Sequence, residues 1–170
     1  EELRALDAGR WFSSAFAGER IPLLADVLDA VSLAVNIELK APVAEGLEAR
    51  TLAVVLKAGA LDRVVFSSFD PTALDRLRAL SSAATIGVLW EEHPIPMALR
   101  VAERVGARAL HVRKDTATPE TISLARAAGL ETRVWTVNGR EEFDLLAERG
   151  ADAVFTDFPE RFLLNSMPGP

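Results

Sequence analysis

Leu33-Ala34-Val35-Asn36-Ile37-Glu38-Leu39-Lys40 reads as a β-strand with two unlike faces. Successive side chains of a strand point to opposite sides. Leu33, Val35, Ile37 and Leu39 therefore share one face, and Ala34, Asn36, Glu38 and Lys40 share the other. The first face is apolar and suited to meeting helices. The second is polar and suited to lining a barrel lumen near its mouth.

Five further β-like runs follow: Val64–Phe69, Thr85–Trp90, Ala109–Arg113, Thr132–Val137 and Ala153–Asp157. Helical patterns lie between them over Leu47–Lys57, Ala73–Leu80, Ile95–Val105, Pro119–Ala128 and Glu141–Arg149. Pro71 and Pro119 stand at helix starts, and Gly59, Gly106, Gly129 and Gly150 stand where helix ends are expected. Upstream, residues 1–20 read as a short helix, Glu2 to Asp7, and a Gly- and Ser-bearing loop, the tail of an insertion segment. A helix over Leu23–Ala30 follows, with Pro22 in its first turn.

Strand–helix alternation predicts a parallel sheet joined by right-handed crossovers. No Gly-x-Gly-x-x-Gly and no Gly-Lys-Ser/Thr loop follows any strand, which removes the usual nucleotide-binding reading. The two-faced strands favour a barrel. Six units over roughly residues 32–165 fall short of the ~250 residues of an eight-unit barrel. The expected fold is an α/β TIM (β/α)8 barrel, with about six βα units present and the first two strands missing. It is one partial-barrel domain over residues 1–170.

Composition narrows the function. Of the 170 residues, 49% are hydrophobic and 26% charged, as in an ordinary globular domain. The net charge of −6 and the scattered arginines argue against a nucleic-acid partner. The absence of Cys removes disulfides, thiolate chemistry and zinc–sulfur sites, and fits a cytoplasmic protein. No apolar run approaches the ~20 residues of a membrane span.

Active groups of such barrels come from the C-terminal ends of the strands. Glu38 and Lys40 project from one face there: the carboxylate can ligate a hard cation, and the ammonium can bind a phosphate oxygen. An ion pair that only closes a strand end is the alternative. Trp135-Thr136-Val137-Asn138 offers a flat ring and two polar groups as a pocket wall. Its alternative is a buried Trp beneath a helix cap supplied by Asn138. His111 has lumen parity and reads as a hydrogen-bonded core residue or a catalyst, whereas His93 lies in a loop before Pro94. Ser67 and Ser68 lack a nearby His or a Gly-x-Ser-x-Gly turn, so a serine hydrolase is rejected. Asp157 reads as a helix cap or as a group that supports the site from behind, with the cap the simpler reading.

Taken in order, these segments resemble the glycerophosphodiester phosphodiesterases. Val35-Asn36-Ile37-Glu38-Leu39-Lys40 is similar to that family's Ile-Glu-Ile/Val-Lys strand, and Val65-Phe66-Ser67-Ser68-Phe69 to its Ser-Ser-Phe strand. Trp135-Thr136-Val137-Asn138, then Gly150-Ala151-Asp152-Ala153-Val154-Phe155-Thr156-Asp157 and Pro159, resemble its closing Trp-Thr-Val-Asn … Gly-Val-Asp-Gly-Ile-Thr-Asp-x-Pro signature. The opening, Leu6-Asp7-Ala8-Gly9 and Gly18-Glu19-Arg20-Ile21-Pro22, fits the segment leading to the family's second helix.

The resemblance implies metal-dependent hydrolysis of glycerophosphodiesters to sn-glycerol 3-phosphate and an alcohol, with a divalent cation, Mg²⁺ or Ca²⁺. It makes Glu38 a metal ligand, Lys40 a catalytic and phosphate-binding residue, and Trp135 a substrate-binding residue. It also implies that a His-Arg-Gly, a Glu-x-Asp metal pair and a His-Asp lie before this sequence begins. Neither His93 nor His111 takes the place of the family's acid–base histidines, so the sequence alone is expected to be inactive. Two other readings stand beside this one. A degenerate barrel could be a binding or assembly module that pairs its open edges in a homo-oligomer or with a completing segment. A related phosphodiesterase could act on lysophospholipids, although the acidic loop Glu91–Pro96 favours a water-soluble headgroup.

Overall fold

The computed structural model of the protein describes residues 2–40, 42, 44–91 and 94–163. His93 lies outside the described residues. Six strands form one parallel sheet in chain order: β1 (Val35–Glu38), β2 (Val64–Ser68), β3 (Thr85–Trp90), β4 (Ala109–Arg113), β5 (Glu131–Trp135) and β6 (Ala153–Val154). The sheet curls into part of a barrel. Its two outer strands, β1 and β6, pair only inward among the described residues.

The helices are α1 (Glu2–Ala5), α2 (Leu24–Ala30), α3 (Leu47–Lys57), α4 (Pro71–Leu80), α5 (Ile95–Val105), α6 (Pro119–Ala127), α7 (Arg140–Arg149) and α8 (Glu160–Leu163). Local chemistry sets their starts. The Asp70 carboxylate accepts from the Thr72 N–H at 2.9 Å, and the Thr118 hydroxyl accepts from the Thr121 N–H at 3.1 Å. Each cap satisfies one of the orphan donors of a first turn, and Pro71 and Pro119 occupy positions where no donor is needed. At the other end, Gly106 closes α5 with φ of 57°, a left-handed conformation that a Cβ disfavours.

Strand parity then sorts the core. Phe66, Ile86, Val88, Leu110, Val112 and Val134 point one way and pack, fully buried, against Leu52, Val55, Leu74, Ala98, Val105 and Ala125 of the helices. Burying a side chain of this kind contributes about 1.5–3 kcal/mol. The opposite parity, which includes Asn36, Glu38, Ser67, Gly87, His111, Arg133 and Trp135, forms the concave lumen face.

Several boundaries differ from the sequence reading. Strand β1 begins at Val35, because Val35 pairs with Val64 and the chain before Val64 is a 3₁₀ turn. Leu33 therefore has no ladder partner and is 74% exposed. Helix α1 stops at Ala5, since the Asp7 carboxylate turns the chain by accepting from the N–H groups of Gly9, Arg10 and Gly18. Pro22 precedes α2 instead of joining its first turn. Asp26 governs that entry by accepting from the Leu23 N–H at 3.2 Å. Strand β6 ends at Val154, because Thr156 and Asp157 turn aside to Asn138.

Candidate active site

At the C-terminal mouth of the lumen lies a cleft of about 290 Å³, lined by Asn36, Glu38, Lys40, Phe69, Leu89, Trp135, Thr136 and Phe155. Glu38 and Lys40, at the end of β1 and just beyond it, meet the distant Trp135 here because β1 and β5 deliver residues of lumen parity to the same end. Lys40 Nζ donates to Glu38 Oε2 at 3.0 Å. Among the described residues, neither the buried Glu38 Oε1 nor Trp135 Nε1 has a hydrogen-bond partner. Phe69 meets the Trp135 ring edge-on, with centroids 5.7 Å apart, and so fixes the wall.

The ion pair anticipated for Glu38 and Lys40 does form, but it uses one carboxylate oxygen only. The Lys40 side chain is 82% exposed and that of Glu38 is 26% exposed. A pair this wet contributes about 0–1 kcal/mol to stability. Glu38 Oε1, by contrast, is a buried hard acceptor without a hydrogen-bond partner among the described residues. Among the described residues no three His, Cys, Asp or Glu side chains gather as a cation site. Glu38 thus fits as one hard-oxygen ligand, and the six to eight that Ca²⁺ takes would need others.

The serines are structural. Ser67 accepts from Asn36 Nδ2 at 3.0 Å, while Ser68 Oγ donates to the Leu39 carbonyl at 2.7 Å and accepts from the Asp70 N–H at 3.0 Å. Both tie β2 to its neighbours beneath the mouth, which agrees with rejecting a serine nucleophile.

His111 lies below the cleft, fully buried, its ring 5.1 Å from that of Phe155. Contrary to expectation for a core histidine, neither ring nitrogen has a hydrogen-bond partner among the described residues. Burial, with the nearby Arg133 guanidinium adding to it and Glu131 opposing, pushes its pKa down to about 4. The imidazole is neutral at pH 7 and acts as packing beneath Phe155.

Asn138 and Asp157 correct the sequence reading. Asn138 does not cap α7, whose N-cap is Gly139. Its amide donates to Asp157 Oδ2 at 2.9 Å, and its oxygen accepts from the Asp157 N–H at 3.0 Å and the Thr156 hydroxyl at 3.2 Å. The pair sews the loop after β5 to the loop after β6, a contact that only the fold creates. Phe69 and Phe155 escaped notice as cleft walls. Parity could have found them, since each lies two residues beyond a lumen position of its strand.

Comparisons with known proteins give the family and the fold. The model of the glycerophosphoryl diester phosphodiesterase family matches residues 1–161. A glycerophosphodiester phosphodiesterase of Caldanaerobacter subterraneus subsp. tengcongensis is 31% identical over 171 residues, covering 96% of this chain and 69% of that protein. Among solved structures, an Oleispira antarctica phosphodiesterase in complex with the product sn-glycerol-3-phosphate is 29% identical and superposes with a TM-score of 0.83, covering 96% of this chain and 68% of that one. A glycerophosphodiester phosphodiesterase from Agrobacterium tumefaciens shares the fold with a TM-score of 0.79 at 23% identity, covering 96% of this chain and 70% of its own. The chain belongs to the glycerophosphoryl diester phosphodiesterase family.

Proposed function

We propose that this chain carries part of the active site of a metal-dependent enzyme that hydrolyses glycerophosphodiesters to sn-glycerol 3-phosphate and an alcohol. The observation that carries the reading is the cleft that joins Glu38, Lys40 and Trp135 and leaves one buried Glu38 oxygen without a partner among the described residues. The Oleispira relative, crystallised with sn-glycerol-3-phosphate, supports the same product here.

In this reaction a water oxygen bonds to phosphorus, the phosphorus–oxygen bond to the alcohol breaks, and the departing oxygen takes up a proton. Lys40 places a positive charge beside the phosphoryl oxygens, where charge develops. Its hydrogen bond to Glu38 Oε2 holds the flexible stem toward the cleft. Trp135 and Phe69 form an apolar wall against the glycerol moiety and keep water from that side. A divalent cation held in part by Glu38 Oε1, Mg²⁺ or Ca²⁺, supplies Lewis-acid stabilisation when bound.

The remaining ligands and the acid–base pair come, in this proposal, from two further βα units that pair with the free edges of β1 and β6. Unpaired parallel edges are a poor resting state for a sheet. The described residues alone would then turn over little or no substrate, since an absent general acid or base forfeits about 10²–10⁴-fold each. Pairing of the same edges in a homo-oligomer would show as a dimer in solution with no gain of activity.

The test is release of sn-glycerol 3-phosphate from a glycerophosphodiester by the full-length protein, with and without chelator. Lys40→Ala should lower kcat by about 10²-fold. Turnover that is indifferent to both chelator and Lys40→Ala would sink the reading.

A further inference from the structure

The structure holds a second cleft beside the first. It has a volume of about 400 Å³ and is lined by Phe69, Pro71, Leu89, Trp90 and Glu91. Phe69 and Leu89 line both clefts, so they form a ridge between them. A phosphodiester has two arms on one phosphorus. With its phosphoryl group at Glu38 and Lys40, one arm stays in the lumen cleft against Trp135 and the other crosses the ridge. We propose that the second cleft is the subsite for the alcohol arm and that it selects an alcohol carrying a cationic ammonium group. This inference rests on the phosphodiesterase reading above.

Two features of the lining point to a cation. The first is charge. Glu91 is the sole charged side chain among the described residues of the lining. Its carboxylate accepts from Arg113 Nη1 at 2.9 Å, yet the same guanidinium is also gripped by both Asp115 oxygens at 2.7 Å. One cation thus faces two carboxylates, and the group keeps a net charge of −1 at the rim. The second is aromatic surface. Phe69 and Trp90 line the cleft, and aromatic faces attract ammonium groups, quaternary ones included, which offer no hydrogen-bond donor. An anionic arm would be repelled by the excess carboxylate, and a neutral arm could only hydrogen-bond to it, without the charge attraction that an ammonium group gains.

The assay compares kcat/KM of the full-length protein for glycerophosphocholine and glycerophosphoglycerol, which share the glycerophosphoryl half and differ in the arm. Wild type should favour the choline ester by about 10-fold or more, and added salt should narrow the preference. Glu91→Gln, a change at a half-exposed side chain, should cut the preference by about 3–10-fold, chiefly through KM for the choline ester. Trp90→Ala should do the same, and Trp90→Phe should restore most of it. A ratio unchanged in both Glu91→Gln and Trp90→Ala, with activity intact, would overturn the subsite and leave the phosphodiesterase reading standing. Hydrolysis of neither ester by the wild type would overturn both.

Discussion

Glu38→Gln separates the two readings of the Glu38–Lys40 pair. The substitution keeps the shape of the side chain and removes its charge. Lys40 then loses a charge-assisted hydrogen bond of 3.0 Å, made by a side chain that is 82% exposed. Such a pair is worth about 0–1 kcal/mol. Neutralising a buried carboxylate oxygen that has no partner among the described residues offsets part of even that loss. For a domain of this length, 1 kcal/mol moves Tm by roughly 2–4 °C, so the variant should melt within about 4 °C of wild type. Activity should behave otherwise. An amide is a poor ligand for a hard cation and cannot balance Lys40, so kcat/KM should fall by about 10²-fold or more. Raising Mg²⁺ or Ca²⁺ should recover part of it, because weakened cation binding yields to mass action. The assay is release of sn-glycerol 3-phosphate by the full-length protein across a cation titration, paired with a thermal melt. A Tm loss well beyond 4 °C, with unchanged activity per folded molecule, would make the pair a strand-end clamp and refute the reasoning.

Gly87→Ala should destabilise the protein by about 1–3 kcal/mol by overpacking, because an added Cβ would lie 2.5 Å from His111 Nε2 in a ring already backed by Phe155. Adding His111→Ala should make the combined loss smaller than the sum of the single ones, and strict additivity in denaturant melts would contradict the contact. His111 also predicts a pH dependence. Its folded pKa of about 4 lies below the ordinary histidine value of 6.5, so the neutral form stabilises the fold fully above 6.5. That contribution declines by about 1.4 kcal/mol per pH unit as pH falls from 6.5 toward 4. Denaturant midpoints of wild type minus His111→Phe at pH 7.5 and 5 should show the slope, and parallel curves would place the ring in a wetter setting. Arg76 Nε donates at 2.7 Å to Glu48, whose side chain is 2% exposed. Arg76→Ala strands that buried carboxylate and should cost about 1–3 kcal/mol, read as a lower midpoint in urea, whereas an unchanged midpoint would mean that water replaces the guanidinium.

Much of the fold was open to reading from the chain alone, for a physical reason. Strands β3 and β4 and helices α3 and α5 have the ends that their patterns predict, because period-2 and period-3.6 patterning is a local consequence of which side meets the core. The caps at Asp70 and Thr118 and the glycine end at Gly106 are equally local. Errors gathered where a partner in space decides. Leu33 fails to join β1 because its neighbour strand starts too late. Asn138 binds Asp157 because two loops distant in sequence fall side by side.

The site divides in the same way. That Glu38 and Lys40 share a face is a matter of spacing, and Trp135 at a strand end is a matter of pattern; both were settled by residues near each other in the chain. Their meeting in one cleft, the burial of Glu38 Oε1, the Phe69–Leu89 ridge and the second cleft behind it depend on how far the sheet curls. So does the burial of His111 between Gly87 and Phe155, which shifts its protonation. Desolvation and approach across strands are sums over neighbours from every part of the chain, so only the tertiary structure decides them.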